Sequence, residues 1–188
     1  MNNATSFWGT DPGGCPPPPN SVAKTTTCNG SGDGIVTDGT GEIFRFWQHL
    51  ANAGLIEGSY SGVSADATPY GNVAGITVPR SRLSSAQWSA RRFVASTLDA
   101  TRFAGTYDLN LQLGAVSTYW NDAPSVKAEE AWNIDTKVDD GKPGTGRVIG
   151  FLSALCSTAA NATDYSASYA LNQSAIGCLL QFTQGAVR

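Results

Sequence analysis

The sequence is poor in charge, since only 14% of its 188 residues are Asp, Glu, Lys or Arg, against about 25% in an average globular domain. Its 12 basic and 15 acidic residues give a formal net charge of −3, so no basic surface favours a nucleic-acid partner. No run of 18 apolar residues is present, and we therefore predict no membrane-spanning helix. The first residues, MNNATSFWGTDPGG, have neither a basic nor an apolar stretch, so no signal peptide is expected there.

The sequence also has little of what common catalytic and metal sites need. It contains one histidine, His49, and no Cys-x-x-Cys pair, so a zinc site built from Cys and His is not expected. Gly-x-Ser-x-Gly is absent. Glu129 and Glu130 are adjacent, so on a helix they point about 100° apart and cannot face each other as glycosidase carboxylates do. If the chain is an enzyme, His49 is the candidate catalytic residue; the alternative is a solvated histidine on a helix.

Glycine and small polar residues are abundant instead, with 21 glycines in the chain. A chain of this length can still bury a sizeable core, and the composition favours a loop-rich fold over a helical bundle. Hydrophobic periodicity predicts helices at 42–55 and at 125–140, the second with Ser125 as its N-cap. Strand-like stretches are predicted at 74–78, 92–98, 106–113, 115–120, 147–155 and 178–182.

The stretch 106–113 has the clearest strand pattern. Apolar residues at 107, 109, 111 and 113 alternate with polar ones, which predicts a strand with one face in water. Because the predicted strands are short and the turns between them are short, we expect an α+β fold with an antiparallel β-sheet meander packed with helices. A single domain over 1–188 is expected. Its residues 1–41 form a long irregular segment that needs a tether.

Four cysteines fall into two local pairs near the two ends of the chain. An even number without a Cys-x-x-Cys motif predicts disulfides and an oxidising compartment; the alternative is four free thiols in a cytosolic protein. Three pairings are open to four cysteines. We expect Cys15–Cys28 and Cys156–Cys178 because both loops are then short, and the second pair closes a loop over 156–178.

The segment Asn-Gly-Ser-Gly-Asp-Gly-Ile-Val at 29–36 is typical of a calcium loop. Oxygen-bearing residues stand at relative positions 1, 3 and 5, Gly34 lies at the sharp turn, and a backbone carbonyl follows at position 7. Calcium takes six to eight oxygens, so Asp38 or Glu42 would have to complete the site. The alternative is a glycine-rich turn without metal. The predicted ligands of this weak site are Asn29, Ser31, Asp33, Ile35 and Glu42.

Two other features are candidates for ligand binding. The acidic loop 135–140 could hold calcium, or it is a helix end with solvated carboxylates. The chain also has five Trp and six Tyr residues, which could stack against sugar rings on a surface of low charge. The alternative is that most of these aromatic side chains lie in the core.

Several stretches of the sequence resemble bacterial type IV pilin-like proteins of the prepilin or pseudopilin type. They are ATSFWGTDPGGC, CNGSGDG, FRFWQHLANAGLIEGSYSG and AEEAWNIDTKVDDGKPGTG. The resemblance runs from about residue 3 to 151 and continues in the C-terminal cysteine pair. It implies a globular headgroup whose antiparallel sheet packs on the C-terminal half of a long N-terminal helix, with a C-terminal disulfide loop. The prepilin signature, a cleavage site followed by an apolar helix that starts Phe-Thr-x-x-Glu, is missing from the sequence.

The resemblance implies a structural or interaction role without catalysis. The chain would be the headgroup of a subunit of a type IV pilus or of a type II secretion pseudopilus. Such a subunit lies outside the cell or in the periplasm, and its partners are other pilin-like subunits. Two alternatives stay open: a hydrolase of esters or glycosides built on a pilin-like scaffold, and an adhesin domain that binds a glycan.

Overall fold

The computed structural model describes residues 2–15, 22–37, 41–66, 71–83, 85–118 and 120–184. The helices in these ranges are α1 (Thr5–Trp8), α2 (Glu42–Asn52) and α3 (Ala128–Val138). The strands are β1 (Ala86–Ala95), β2 (Gly105–Ala115), β3 (Val126–Lys127), β4 (Val148–Ile149), β5 (Ile176–Cys178) and β6 (Leu180–Thr183). None of the helices in the described ranges has the length and hydropathy that crossing a membrane requires.

The main sheet has four antiparallel strands in the order β1-β2-β6-β4, and β3 pairs with β5 in a small second sheet. The predicted α+β class with an antiparallel sheet is confirmed. The strand order departs from the predicted meander, because β6 from the C-terminal end of the chain lies between β2 and β4.

Both longer helices pack on the same face of this sheet. Ile43 and Phe44 of α2 join a buried cluster with Ala90 of β1, while Ala131 of α3 joins one with Leu113 of β2. Cross-strand partners share a face, so the register defines this apolar face. Its members on the four strands are Trp88, Ala90, Leu111, Leu113, Val148, Leu180 and Phe182.

The opposite face of the sheet is polar along the middle of β2, but it is not in water. Asn110 and Gln112 of β2 are fully buried, and the Gln112 amide donates to the Asn121 carbonyl at 2.8 Å. The prediction of a wet face on this strand is therefore wrong at Asn110 and Gln112, whereas Asp108, beside a register shift, is exposed. Asn121 and its neighbours lie against this face, a contact between segments that alternation along one strand cannot reveal.

A register shift interrupts the alternation of β2. Arg91 pairs with Asn110, whereas Phe93 pairs with Tyr107, so β2 advances three residues where β1 advances two. An extra residue in one strand reverses which face its side chains occupy. Tyr107 accordingly packs in a cluster with Ile149 on the other side of the sheet from Leu111.

Other element boundaries differ from the prediction. Strand β1 begins at Ala86 rather than at 92, because its buried polar residues hide the period-2 pattern. Helix α3 begins at Ala128, since Ser125 precedes β3 and the Lys127 N–H is bound by the Glu130 carboxylate at 2.8 Å. Residues 74–78 form a turn, and no strand covers 116–118 or 120. The predicted closing strand 147–155 is reduced to β4.

The predicted disulfides are present, joining Cys15 to Cys28 and Cys156 to Cys178. Residues 2–15 and 22–37 are irregular apart from α1 and a bridge between Thr10 and Thr27. Residues 16–21 and 38–40 of the predicted irregular segment lie outside the described residues.

Residues 22–28, here called the N-terminal strap, cover the polar side of α2. The Gln48 amide donates to the carbonyls of Lys24 at 3.0 Å and Thr26 at 3.1 Å. Asn52 donates to the Thr25 carbonyl at 2.8 Å. Helix α2 is thus covered on both sides, with apolar contacts to the sheet and hydrogen bonds to the strap.

Candidate functional site

The apolar face of the main sheet is incompletely covered between α2 and α3. Trp88, Leu109, Leu111 and Phe182 are only partly buried there. Two depressions of about 730 and 260 Å³ adjoin on this face, and Leu111 lines both of them. We call the two depressions together the sheet channel. Strands β1, β2, β4 and β6 contribute to its lining, α2 adds Trp47 and α3 adds Val138, and the rest of the wall at the wider end comes from residues 56–60 and 75–80.

Aromatic side chains line the wider end of the sheet channel, next to α2. They are Trp47, Tyr60 and Trp88. The indole N–H of Trp47 is buried and has no hydrogen-bond partner in the part of the chain that the structure describes. Exposed Arg80 and Glu57 contribute opposite charges at the rim.

The narrower end of the sheet channel, next to α3, is almost wholly apolar. Leu109, Val148 and Phe182 line it together with Val138, the last residue of α3. Arg147 is the charged residue in this lining. Because no carboxyl, imidazole or thiol group from the described residues lines this end, it suits an apolar surface rather than acid–base chemistry.

His49, the candidate catalytic residue, is held by structural contacts. Its Nε2 lies 2.9 Å from the Thr27 hydroxyl, and its ring stacks on Trp8 with 5.4 Å between centroids. Burial lowers the pKa of His49 to about 4, and the nearby positive charge of Arg45 adds to this effect. The Thr27 hydroxyl also lies 2.6 Å from Gln48 Oε1, to which it donates.

These contacts leave His49 poorly suited to act as a general base. If the Thr27 hydroxyl donates to Gln48, the neutral imidazole must donate to Thr27 rather than accept its proton. Among the described residues, no hydrogen bond joins His49 to a carboxylate. The ring is not freely solvated either, because the strap and α1 partly bury it. A catalytic role of His49 stays a prediction.

The predicted calcium loop closes on the carboxylate of Glu42. Glu42 accepts the N–H groups of Ser31 at 2.6 Å and Thr37 at 3.2 Å. Burial alone would raise the pKa of Glu42, but these hydrogen bonds outweigh it and lower the pKa to about 2. The hydrogen bonds of the Glu42 carboxylate therefore hold this loop together, whereas the sequence predicted that a bound calcium ion would do so.

The remaining predicted ligands are engaged in local turns and caps. Asn29 Oδ1 accepts the Thr5 N–H at 2.9 Å, and Asp33 Oδ1 accepts the Ile35 N–H at 2.8 Å. The structure brings Ser31 and Glu42 together, but through a backbone donor rather than a ligand oxygen. Asp38 lies outside the described residues. The calcium site remains a prediction.

The acidic loop after α3 brings three carboxylates together. One oxygen from each of Asp135, Asp139 and Asp140 lies within 4.8 Å of the others, a spacing that could hold a metal ion. Asp135 accepts the Tyr169 hydroxyl at 2.8 Å, and Asp139 accepts the Val148 N–H at 3.1 Å. Protein donors thus already satisfy part of this cluster, so a metal ion would have to share its oxygens with them.

Sequence reasoning found only part of the sheet channel. Leu109 and Leu111 belong to the predicted strand 106–113. Trp88 and Phe182 were missed as site residues, because their place beside Leu111 depends on the pairing of β1 and β6 with β2. The apolar residues at 180 and 182, separated by a polar one, were the sequence pattern that could have indicated Phe182.

No protein-family model, curated protein or solved structure matches this chain. The sheet channel and the resemblance in sequence therefore carry the functional inference.

Proposed function

We propose that this chain is the globular headgroup of a pilin-like subunit, with a structural role in a surface filament or secretion pseudopilus, and that its sheet channel seats an apolar helix. The observation that carries the proposal is the half-open apolar channel on the face that α2 and α3 already flank. A sheet buries such a face most readily under a helix, whose own backbone groups are already paired. The resemblance in sequence implies a long helix against this sheet.

The energetics of the channel favour such an occupant. Fully burying one large apolar side chain contributes about 1.5–3 kcal/mol. Trp88, Leu109, Leu111 and Phe182 are already partly buried, so each has roughly half of that contribution left to gain. Together the four side chains would contribute about 3–6 kcal/mol to docking a helix that belongs to the same subunit. The two disulfides are compatible with the extracellular or periplasmic location of such a subunit.

A photo-crosslinking experiment on the full-length protein in its host tests this proposal. We place benzoyl-phenylalanine at position 109, in the channel, and in a control at position 98, where Leu98 is 91% exposed in the β1–β2 connection. We expect position 109 to crosslink to an apolar helical segment of the same or an identical subunit, and position 98 not to do so. Equal crosslinking patterns at the two positions would refute a helix in the channel.

A second measurement separates folding from assembly. Leu109→Asp changes a partly exposed side chain, so the variant should keep its circular dichroism spectrum and both disulfides. We expect it to lose incorporation into filaments or pseudopili, whereas Leu98→Asp should retain it. Normal assembly of Leu109→Asp would contradict the proposed role of the channel.

A glycan-binding role is the second candidate, because three aromatic side chains and two opposite charges meet at the wider end of the channel. Aromatic faces stack on sugar rings, and the buried Trp47 N–H offers a donor. The test is tryptophan fluorescence against a glycan panel. A saturable change that Trp88→Ala abolishes and Leu109→Asp preserves would favour this role over helix docking.

A further inference from the structure

A separate cavity of about 240 Å³ lies between α2 and the loop 30–36. One side of α2 lines it with Phe46 and Leu50, and the loop contributes Ile35 and Val36. We call it the α2 cavity. It shares no lining residue with the sheet channel, so its function is independent of the helix-docking proposal.

The α2 cavity contains a buried arginine without a direct partner. Arg45 lines the cavity and is 6% exposed. Within the described ranges its guanidinium donates no hydrogen bond and has no carboxylate oxygen within 4.0 Å. Burial lowers its pKa, although the charges of Asp11 and Glu42 act against this from a distance. None of the guanidinium nitrogens of Arg45 is among the fully buried polar atoms without a partner, so the charged group keeps some accessible surface through which a ligand anion can reach it.

The two nearest carboxylates are committed to other partners. Asp11 is paired with Lys24 at 2.5 Å. Glu42, which also lines the cavity, accepts N–H groups from Ser31 and Thr37. Neither acid is therefore free to turn towards the guanidinium of Arg45 without breaking contacts that hold the loop.

Arg102 shows how this protein accommodates another buried guanidinium. Arg102 is 8% exposed, and its guanidinium lies 4.7 Å from the ring centroid of Phe93. The aromatic face stabilises the charge, Nη1 donates to the Thr101 hydroxyl at 3.4 Å, and Nε and Nη2 are buried without a hydrogen-bond partner among the described residues. No such ring contact is found for Arg45 among the described residues. Arg45 instead borders the α2 cavity.

We propose that the α2 cavity binds a small apolar monocarboxylate, whose carboxylate pairs with Arg45 and whose hydrocarbon part contacts Phe46 and Leu50. A planar guanidinium matches a carboxylate through two parallel hydrogen bonds. The volume is below the roughly 300–1,000 Å³ of pockets for drug-sized ligands. It suits a group the size of one large apolar side chain.

The charges around the cavity select a single negative charge. The imidazole of His49, which also lines it, is neutral at pH 7, so Arg45 is the one cation in the described lining. The negative charge of Glu42 nearby disfavours a dianion such as a phosphate monoester. The carboxylate can come from a free acid or from the C-terminus of an apolar peptide, and both have the same recognition chemistry.

The test is a titration followed by amide chemical shifts, using phenylacetate, its neutral analogue phenylacetamide, and phenyl phosphate. We expect saturable shifts in residues 30–36 and α2 with phenylacetate, and at least tenfold weaker binding of the other two. The peptide Gly-Gly-Leu with a free or an amidated C-terminus distinguishes the two sources. If the peptide with a free C-terminus binds, the cavity is assigned to a chain terminus. If phenylacetate binds and this peptide does not, the cavity is assigned to a free acid.

Variants locate the binding at Arg45. Arg45→Met should weaken phenylacetate binding at least tenfold, while Arg80→Met, in the sheet channel, should leave it unchanged. Because a change at Arg45 can also unfold the loop, Leu50→Phe provides a second variant that keeps the cation and fills the cavity. It should also abolish binding. Any one of three results would overturn the proposal. Phenylacetamide could bind as tightly as phenylacetate, or a folded Arg45→Met variant could bind phenylacetate as the wild type does. The third result is the absence of saturable shifts with both phenylacetate and the free-acid peptide.

Discussion

Asp135 is a single carboxyl group whose titration is coupled to folding. It has no exposed surface, and Tyr169 donates its hydroxyl to it at 2.8 Å. Burial raises the pKa of Asp135 from 3.8 to about 6, against the opposing hydrogen bonds of Tyr169 and Gly141. The unfolded chain releases this proton near pH 3.8 and the folded chain near pH 6. The free energy of unfolding therefore falls as pH rises through that window.

We expect Asp135→Asn to remove this pH dependence. The amide keeps the size of the carboxyl group and accepts the Tyr169 hydroxyl without ionising. Since one pKa unit corresponds to about 1.4 kcal/mol, the wild type should lose about 3 kcal/mol relative to the variant between about pH 4 and pH 7. Urea unfolding at several pH values measures the difference. A difference that stays constant with pH would contradict an ionising, buried Asp135.

Glu42 is the opposite case, because its pKa is lowered to about 2 from 4.5. Its stabilising effect is present above pH 4.5 and disappears as pH falls through 2. We expect Glu42→Gln to be less stable than the wild type by about 2 kcal/mol at pH 7, since solvent near the loop screens part of the effect. The two proteins should converge as pH approaches 2, and acid titration of their unfolding free energies checks this. Parallel curves would show that the charge of Glu42 adds nothing to stability.

At the scale of elements, α2 connects the sheet to the strap through one side chain. Gln48 is 1% exposed and its amide donates to carbonyls of Lys24, Thr26 and Ser61. Gly62 approaches this amide closely at a φ of +74°, where a Cβ would collide with the Gln48 side chain. Gln48 thus joins three segments around α2.

Gln48→Met tests this junction by keeping the volume and removing the donors. Each buried carbonyl left without a partner costs about 1–3 kcal/mol, so we expect a loss of about 3 kcal/mol in unfolding free energy. Hydrogen exchange should accelerate in residues 22–28. The matched control is Asn52→Ala, which removes one exposed hydrogen bond and should cost about 1 kcal/mol. Similar losses in the two variants would contradict the role given to Gln48.

The loop 29–42 is the element on which the calcium prediction is tested. Millimolar calcium should raise the melting temperature of the wild type relative to chelator and leave Asp33→Ala unchanged. A tenfold excess over Kd stabilises a fold by only ~1.4 kcal/mol, so the expected shift is a few degrees. An unchanged wild type would mean that Glu42 and its N–H donors close the loop without metal.

At the scale of the whole molecule, the two disulfides protect the ends of the chain unequally. Cys156 and Cys178 have no exposed surface and lie in the cluster between α3 and the sheet, whereas Cys15 is exposed. Closing either loop stabilises the fold by about 3 kcal/mol in the chain-entropy model, with more from the longer C-terminal loop. We expect mild reductant to open Cys15–Cys28 first. Alkylation and intact mass measure the order, and simultaneous reduction would contradict it.

The parts of the fold that were predicted correctly obey local rules. Helix α2 starts at Glu42 as expected, because its apolar residues recur at helical spacing and dominate one face. The strand pattern at 106–113 lies within β2. Strand β1 was predicted to start too late in the chain, because Gln87 and Ser89 are buried polar residues and resemble a solvent-exposed segment in the sequence. An alternation of apolar and polar residues along a strand indicates which side chains are buried only when the polar face of the sheet is in water.

By itself the sequence determined the α+β class, the position of α2 and the two short disulfide loops, since each depends on the spacing of residues near one another in the chain. The tertiary structure decided the strand order, the sheet channel and the α2 cavity. Leu111 meets Phe182 only because β6 returns to pair with β2, and Arg45 lacks a paired anion among the described residues because Asp11 and Glu42 bind elsewhere. These features depend on which residues far apart in the chain come into contact. The local pattern of residue types along the sequence does not predict which of the possible contacts forms.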